Sequence, residues 1–108
     1  MSDAETTLQD LRARVQQFND DRDWHQFHTP KNLAASIAIE AAELLAHLQW
    51  TDEPASNQLP QLCEELADVV IYCLSMANTL SIDLSQEVCR KLARNDAKYP
   101  ADEYRGRY

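Results

Sequence analysis

Apolar residues recur three and four positions apart along most of the chain, the spacing that places side chains on one face of a helix. The first stripe comprises Leu8, Leu11, Val15 and Phe18. It predicts a helix over about residues 5–20. A loop follows, NDDRDWHQFHTPKN, in which Thr29 and Pro30 are the residue types of an N-cap and a first helical position.

Three further stripes predict three further helices. The second helix is expected over about residues 31–49, the third over about 61–80, and the fourth from the capping-box pattern Asp83–Gln86 to about residue 98. Their inward positions are Leu33, Ile37, Leu44 and Leu48, then Leu62, Glu65, Val69, Tyr72 and Met76, then Leu84, Val88 and Leu92. The pattern predicts an all-α, four-helix bundle-like fold.

Length and composition fit one helical domain. The chain has 108 residues with one glycine and four prolines, too few turn residues for a many-stranded β protein. We expect a single domain over residues 1–108, with short irregular ends at about 1–5 and 101–108. A helical domain of this size often completes its core by self-association, so a homodimer or homotetramer is expected.

Charge is unevenly distributed. The net charge of −8 argues against general binding to nucleic acid or to a membrane surface. Between Asn32 and Cys89 there are nine acids and no Lys or Arg, whereas six of the ten basic residues follow Cys89. An acidic middle and a basic end can cooperate on one ligand that carries both a metal ion and phosphates.

The cysteines and the apolar runs indicate a cytoplasmic protein. Cys63, Cys73 and Cys89 are odd in number and lack C-x-x-C spacing, which favours free thiols in a reducing compartment. The N-terminal residues contain no apolar signal segment, and no apolar run reaches the roughly 18 residues that span a bilayer.

Two pairs of carboxylates lie on the predicted inner faces. Glu40 and Glu43 on the second helix are three residues apart, and Glu65 and Asp68 on the third repeat that spacing. Four acids drawn together must take up protons or bind cations, and an all-oxygen set suits Mg²⁺, or else Mn²⁺. A solvated acidic face stays open as the alternative. His47 follows Glu43 by four residues, not the three of a di-iron Glu-x-x-His motif, and is interpreted as a flank residue.

Aromatic and basic side chains near these acids suit a nucleotide. Trp24, Phe27 and His28 lie on the loop, Trp50 follows Glu43 by two turns, and Tyr72 follows Asp68 by one. Aromatic faces can stack on bases, and Lys91, Asn95 and Lys98 share a helix face that can meet phosphates. Core packing for the aromatics and a solvated face for the basic helix remain alternative interpretations.

The motifs of this chain, in the order in which they occur, resemble those of the MazG-like nucleoside triphosphate pyrophosphohydrolases, particularly the short dCTP pyrophosphatase type. The matching segments are Glu40-Ala-Ala-Glu43, Glu65-Leu-Ala-Asp68, RDWHQFHTPKNL at 22–33, Gln49-Trp50, EELADVVIY at 64–72 and K-x-x-x-N-x-x-x-YP at 91–100. They span about residues 8 to 100. The chain departs from the subgroup at Val15, where a base-contacting histidine is expected, so a cytosine preference is not carried over.

The resemblance implies Mg²⁺-dependent cleavage between the α and β phosphates of a nucleoside triphosphate, with a role in clearing non-standard nucleotides. Glu40, Glu43, Glu65 and Asp68 would be the metal ligands and catalytic residues. The implied substrate contacts are Trp24, His25, Gln26, Phe27, His28, Trp50 and Tyr72 for the nucleoside, and Lys91 and Asn95 for phosphates or sugar. Two other functions stay open: a non-catalytic oligomerisation or partner-binding module, and a sensor that binds nucleotide without cleaving it.

Overall fold

The computed structural model describes all 108 residues and is entirely helical. The α-helices are α1 (Leu8–Asp21), α2 (Pro30–Ala46), α3 (Leu59–Thr79), α4 (Leu84–Lys98) and α5 (Ala101–Tyr104), with a 3-10 turn at Trp24–Gln26 between α1 and α2. The all-α class predicted from the stripes of apolar residues is therefore confirmed.

Side-chain caps fix where the helices begin. The Thr7 hydroxyl accepts a hydrogen bond from the Asp10 N–H while the Asp10 carboxylate accepts one from Thr7, so α1 begins at Leu8, later than predicted. The Thr29 hydroxyl accepts from the Asn32 N–H with Pro30 in the first turn, as the sequence indicated. The Asp83 carboxylate likewise accepts from the Gln86 N–H and begins α4.

Two further boundaries differ from those expected. The second helix was expected to reach Gln49 but ends at Ala46, where the Leu48 and Gln49 N–H groups turn back to Leu45 and Ala46 in a tighter, three-residue pattern. The C-terminal end was expected to be irregular, yet α5 forms one helical turn after Pro100, which is well suited to begin a helix.

Three helices pack together within the chain. α2 and α3 form the most extensive helix pair, and α1 packs on α3. Leu33, Leu74 and Ala77 are the fully buried apolar residues. The Asn19 amide donates to the Ser75 hydroxyl inside the α1–α3 contact, and Arg12 holds Asn78 and the Ile82 carbonyl near the end of α3. These polar contacts fix α1 against the helix that carries Glu65 and Asp68.

The fourth helix stands apart from the other three. α3 and α4 meet at 105°, and α4 makes no extensive contact with another helix of its own chain. Its apolar residues Val88 and Leu92, expected to face inward, are 50% and 57% exposed. The sequence pattern correctly predicted the apolar stripe of α4, but no other helix of the same chain covers it.

No single helix is long and apolar enough to cross a membrane.

The chain is less compact than a typical monomer of its mass. Its accessible surface is 8579 Å², against about 6,100 Å² for a compact monomer of this mass. Its radius of gyration is 16.6 Å, against about 13 Å for a compact domain of this length. The excess comes from α4 and from apolar side chains exposed on α2 and α3, including Ile39, Leu45 and Leu66.

Candidate metal and nucleotide site

Three carboxylates from two helices meet at the α2–α3 interface. Glu40 and Glu43 lie one turn apart on α2, and Glu65 lies opposite them on α3. One oxygen from each of these three residues lies within 4.8 Å of the others. The i, i+3 spacing on α2 and the close packing of the two helices bring them together, as the sequence predicted.

Glu40 and Glu65 of this cluster are partly shielded from water, whereas Glu43 is exposed. Oε2 of Glu40 and Oε2 of Glu65 are buried, and neither has a hydrogen-bond partner. Burial raises the pKa of Glu40 to about 7, and the neighbouring carboxylates of Glu65, Glu43 and Asp68 act in the same direction. Without a cation, the cluster therefore holds a proton near neutral pH.

The fourth predicted ligand, Asp68, lies one turn beyond Glu65 on α3. Its side chain is half-buried, and its charge contributes to the raised pKa of Glu40. It is not among the three carboxylates whose oxygens lie within 4.8 Å of one another. Its ligand role stays a prediction, in which it closes the set from the α3 side.

His47 lies beside the carboxylates, a position that its interpretation as a flank residue did not anticipate. Its Nε2 is 3.7 Å from Oε1 of Glu65. His47 follows Glu43 by one helical turn and keeps helical backbone dihedrals at the C-cap of α2, which places its imidazole on the side of the acid pair. A basic residue following an i, i+3 acid pair at the end of a helix was the signal available in the sequence.

Four aromatic rings form a row that leads to the α3 side of the acidic cluster. Tyr72, one turn after Asp68, meets His28 edge-on with ring centres 6.5 Å apart. His28 meets Trp24 at 6.1 Å, and Trp24 meets Phe18 of α1 at 5.6 Å. Burial, with a smaller effect from the charge of His25, lowers the pKa of His28, which favours the neutral ring. Phe18, which the sequence analysis placed only in the helix stripe, extends this row.

The rest of the loop faces other partners. The His25 ring contacts the carboxylate of Asp20, and the Gln26 amide donates to the backbone carbonyl and carboxylate of Asp23. Asp23 itself adopts a left-handed backbone conformation with φ of 52°, which turns the chain into the 3-10 segment. Phe27 is 59% exposed. The structure thus brings Trp24 and His28 together with Tyr72 but directs His25, Gln26 and Phe27 elsewhere.

Three predicted substrate contacts lie on exposed or loosely packed parts of the chain. Trp50, beyond the end of α2, is 87% exposed. Lys91 is exposed and Asn95 half-buried on α4, which does not pack on α2 or α3. These residues stay predicted contacts.

An apolar groove lies beside the far end of the aromatic row. It has a volume of about 330 Å³ and is lined by Phe18, Val15, Leu11 and Ile71, with Met1 and Arg14 at its edge. None of the four acids lines it. Val15, where the resemblance leads one to expect a base-contacting histidine, therefore faces an apolar surface.

Residues 35–107 match the model of the MazG-like family, over a stretch that contains both acidic pairs, Tyr72 and all of α4. The chain belongs to the MazG-like family. The match begins within α2, so the aromatic loop and α1 lie outside the matched part of this MazG-like chain.

Two relatives, both dCTP pyrophosphatase 1, match nearly the whole MazG-like chain. It is 38% identical to dCTP pyrophosphatase 1 of Mus musculus over 94% of its length, and 39% identical to dCTP pyrophosphatase 1 of Homo sapiens over 90%. The chain spans 64% and 61% of these two relatives, somewhat less than two-thirds of their length.

A crystal structure of a pyrophosphatase from Archaeoglobus fulgidus resembles the MazG-like chain from end to end. The two are 37% identical and superpose with a TM-score of 0.75, covering 93% of this chain and 98% of that one. The helical arrangement is therefore shared with a protein of similar size.

Proposed function

We propose that this chain is a divalent-metal-dependent nucleoside triphosphate pyrophosphohydrolase that cleaves between the α and β phosphates. The observation that carries the proposal is the convergence of Glu40, Glu43 and Glu65 from two helices, with no Lys or Arg beside them. The named relatives, dCTP pyrophosphatase 1 and a pyrophosphatase, support the same reaction class.

The donor set fits a hard divalent cation. Every side chain in the cluster of three offers carboxylate oxygen, which Mg²⁺ and Mn²⁺ prefer. The buried oxygens of Glu40 and Glu65 lack any hydrogen-bond donor, and such groups are costly unless a partner satisfies them. Glu40, Glu43 and Glu65 would hold the ion, and Asp68 would complete the set from α3.

The proposed reaction is the hydrolysis of a triphosphate held at the acidic cluster. Bound divalent metal would supply charge neutralisation for the phosphate oxygens and polarise a water. The carboxylates fix the position at which the triphosphate is held, and a carboxylate that is not saturated by ligation can accept the proton of the attacking water. The water attacks the α phosphorus, the bond from that phosphorus to the bridging oxygen breaks, and pyrophosphate and a nucleoside monophosphate leave.

The aromatic row is the proposed platform for the nucleoside. Trp24, His28 and Tyr72 extend from the α3 side of the acidic cluster, and rings of this kind stack on bases with about 1–3 kcal/mol each. A deoxynucleoside triphosphate is the proposed substrate because the named relatives are dCTP pyrophosphatases. Because Val15 offers no hydrogen bond to a base, the choice among bases rests on other residues.

Self-association is part of the proposal. The accessible surface of the whole chain, 8579 Å², exceeds that of a compact monomer of its mass by about 2,400 Å², enough for a large interface. Charge favours the same arrangement, because α4 carries Arg90, Lys91, Arg94 and Lys98 while residues 32–89 lack Lys and Arg. A homodimer or homotetramer would cover the Val88 and Leu92 face of α4 and bring Lys91 and Asn95 to the carboxylates of a neighbouring copy.

The biological setting is proposed from the same reaction. An enzyme that converts triphosphates irreversibly to monophosphates would clear unwanted nucleotides from the pool. All three cysteines are free in the structure, as expected for thiols in a reducing cytoplasm. The net charge of −8 argues against nucleic acid and membrane surfaces as partners.

The deciding experiment measures pyrophosphate release from a panel of deoxynucleoside, ribonucleoside and modified triphosphates with Mg²⁺, with Mn²⁺ and with EDTA. The proposal expects metal-dependent turnover with equal amounts of pyrophosphate and nucleoside monophosphate. Release of inorganic phosphate and nucleoside diphosphate instead would contradict cleavage at the α phosphorus.

Two other outcomes identify the alternative functions. A nucleotide sensor would bind a triphosphate in calorimetry with Mg²⁺ yet release no pyrophosphate. A non-catalytic oligomerisation or partner-binding module would neither bind nor cleave it, and Glu40→Gln would leave its behaviour unchanged.

A further inference from the structure

His47 is the one basic side chain in the acidic part of the molecule. Between Lys31 and Arg90 the sequence contains no Lys or Arg, and His47 is the only histidine in that stretch. Its Nε2 lies 3.7 Å from Oε1 of Glu65, and both side chains are largely buried, at 25% and 22% exposure. The contact therefore joins the only imidazole between Lys31 and Arg90 to one of the three converging carboxylates.

The two oxygens of Glu65 have different surroundings. Oε1 faces the His47 ring, whereas Oε2 is buried with no hydrogen-bond partner. Glu65 also supplies one of the three oxygens that lie within 4.8 Å of one another. A carboxylate with one oxygen beside an imidazole and the other without a partner is suited to ligation through that second oxygen.

His47 itself is not placed as a ligand. The group of mutually close ligand atoms contains Glu40, Glu43 and Glu65 but no nitrogen of His47. Its separation from Glu65 is slightly longer than a hydrogen bond, so a small rotation of the carboxylate or the ring is enough to form one. Groups that orient a ligand from behind commonly change metal affinity without touching the metal.

We propose that His47 is a positioning residue for Glu65. Its Nε2–H donates to Oε1 and holds the carboxylate so that the other oxygen stays directed at the cation position. The inference rests on the proposed function, because it assumes that Glu65 is a metal ligand. It adds a residue from outside the E-x-x-E and E-x-x-D motifs to the determinants of metal affinity.

The test measures the dissociation constant of Mn²⁺ by electron paramagnetic resonance of the free ion, without substrate. His47→Ala is expected to weaken Mn²⁺ binding by about 10- to 100-fold. His47→Gln, which retains an N–H donor on a side chain of similar reach, is expected to recover most of that loss. Glu64→Gln is the matched control, because Glu64 is an exposed acid on α3 next to Glu65, and it should bind Mn²⁺ like the unaltered chain.

The outcomes separate this inference from the proposed function. If the unaltered chain does not bind Mn²⁺, the metal site itself is wrong and the inference fails with it. If the unaltered chain binds and both His47 variants bind equally well, only the positioning role is wrong. Equal weakening by His47→Ala and His47→Gln would also overturn it, because donation to Oε1 would not be what matters. Circular dichroism shows that each variant is folded, and His47→Leu, which fills the same space without a donor, takes the place of His47→Ala if that variant is not folded.

Discussion

Glu40 of α2 and Glu65 of α3 face each other across the most extensive helix contact in the chain, and each keeps one buried carboxylate oxygen without a hydrogen-bond partner. Folding has brought together two groups that repel when both are ionised. Such an arrangement costs stability and is typical of a functional site that binds a cation. Substitutions of these same side chains can therefore measure both the loss of stability and the proposed function.

Glu40→Gln should separate stability from activity. The amide keeps the shape of the side chain but removes a charge and a ligand, so we expect at least about 100-fold lower pyrophosphate release. In EDTA the variant should melt at a higher temperature than the unaltered chain, because repulsion inside the cluster is relieved. Glu64→Gln, which removes an exposed charge on α3, should change neither value appreciably. A lower melting temperature for Glu40→Gln in EDTA would contradict the strain inferred here.

The raised pKa of Glu40 predicts how the metal-free chain responds to pH. The proton on Glu40 stabilises the folded state fully below the ordinary carboxyl pKa of 4.5, and that stability is lost as the pH rises through about 7. Thermal melting in EDTA should therefore shift upward as the pH is lowered from about 8 to about 6.5, and the shift should be smaller in Glu40→Gln. The lowered pKa of His28 acts in the opposite sense below its ordinary value of 6.5, which is why the comparison stops there. An identical shift in both proteins would assign it to other groups.

The helices and the acidic cluster could be predicted because their causes are local. Spacing of three and four residues determined which side chains share a face, and Thr29 and Asp83 had recognisable capping roles that the structure confirms. Glu40, Glu43 and Glu65 then met because apolar residues on the same faces drew α2 and α3 together.

What the sequence did not reveal depends on long-range geometry. The contact between His47 and Glu65 depends on how α2 and α3 pack against each other, and the early end of α2 follows from a tighter final turn; no residue type dictates either. The 105° angle between α3 and α4 leaves the predicted inward stripe of α4 exposed, because periodicity identifies an apolar face but not which surface covers it. For the same reason, Lys91 and Asn95 could be assigned to a ligand but not to one chain or its neighbour.

The buried hydrogen bond between Asn19 and Ser75 should contribute to the attachment of α1. The Asn19 amide donates to the Ser75 hydroxyl over 3.2 Å, and both residues are fully buried. Asn19→Ala should lower the free energy of unfolding by about 1–3 kcal/mol, because it leaves the hydroxyl without its partner. Urea unfolding of both single variants and of the Asn19→Ala, Ser75→Ala pair measures this. If the two losses simply add, the hydrogen bond is not a coupled contact.

The exposed apolar stripe of α4 allows two predictions to be tested. One is self-association, and the other is that Lys91 acts on the carboxylates of a neighbouring chain. Leu92→Glu places a charge in the stripe and should reduce the molar mass in solution, as measured by light scattering after size exclusion, and abolish most activity. Gln86→Glu is the control, because it places the same charge at an exposed position of the same helix outside the stripe of Val88 and Leu92. If Lys91 acts on the carboxylates of a neighbour, Glu40→Gln and Lys91→Ala chains, each inactive alone, should regain activity when mixed under conditions of subunit exchange. Exchange without recovery would place Lys91 either on the carboxylates of its own chain or outside the site.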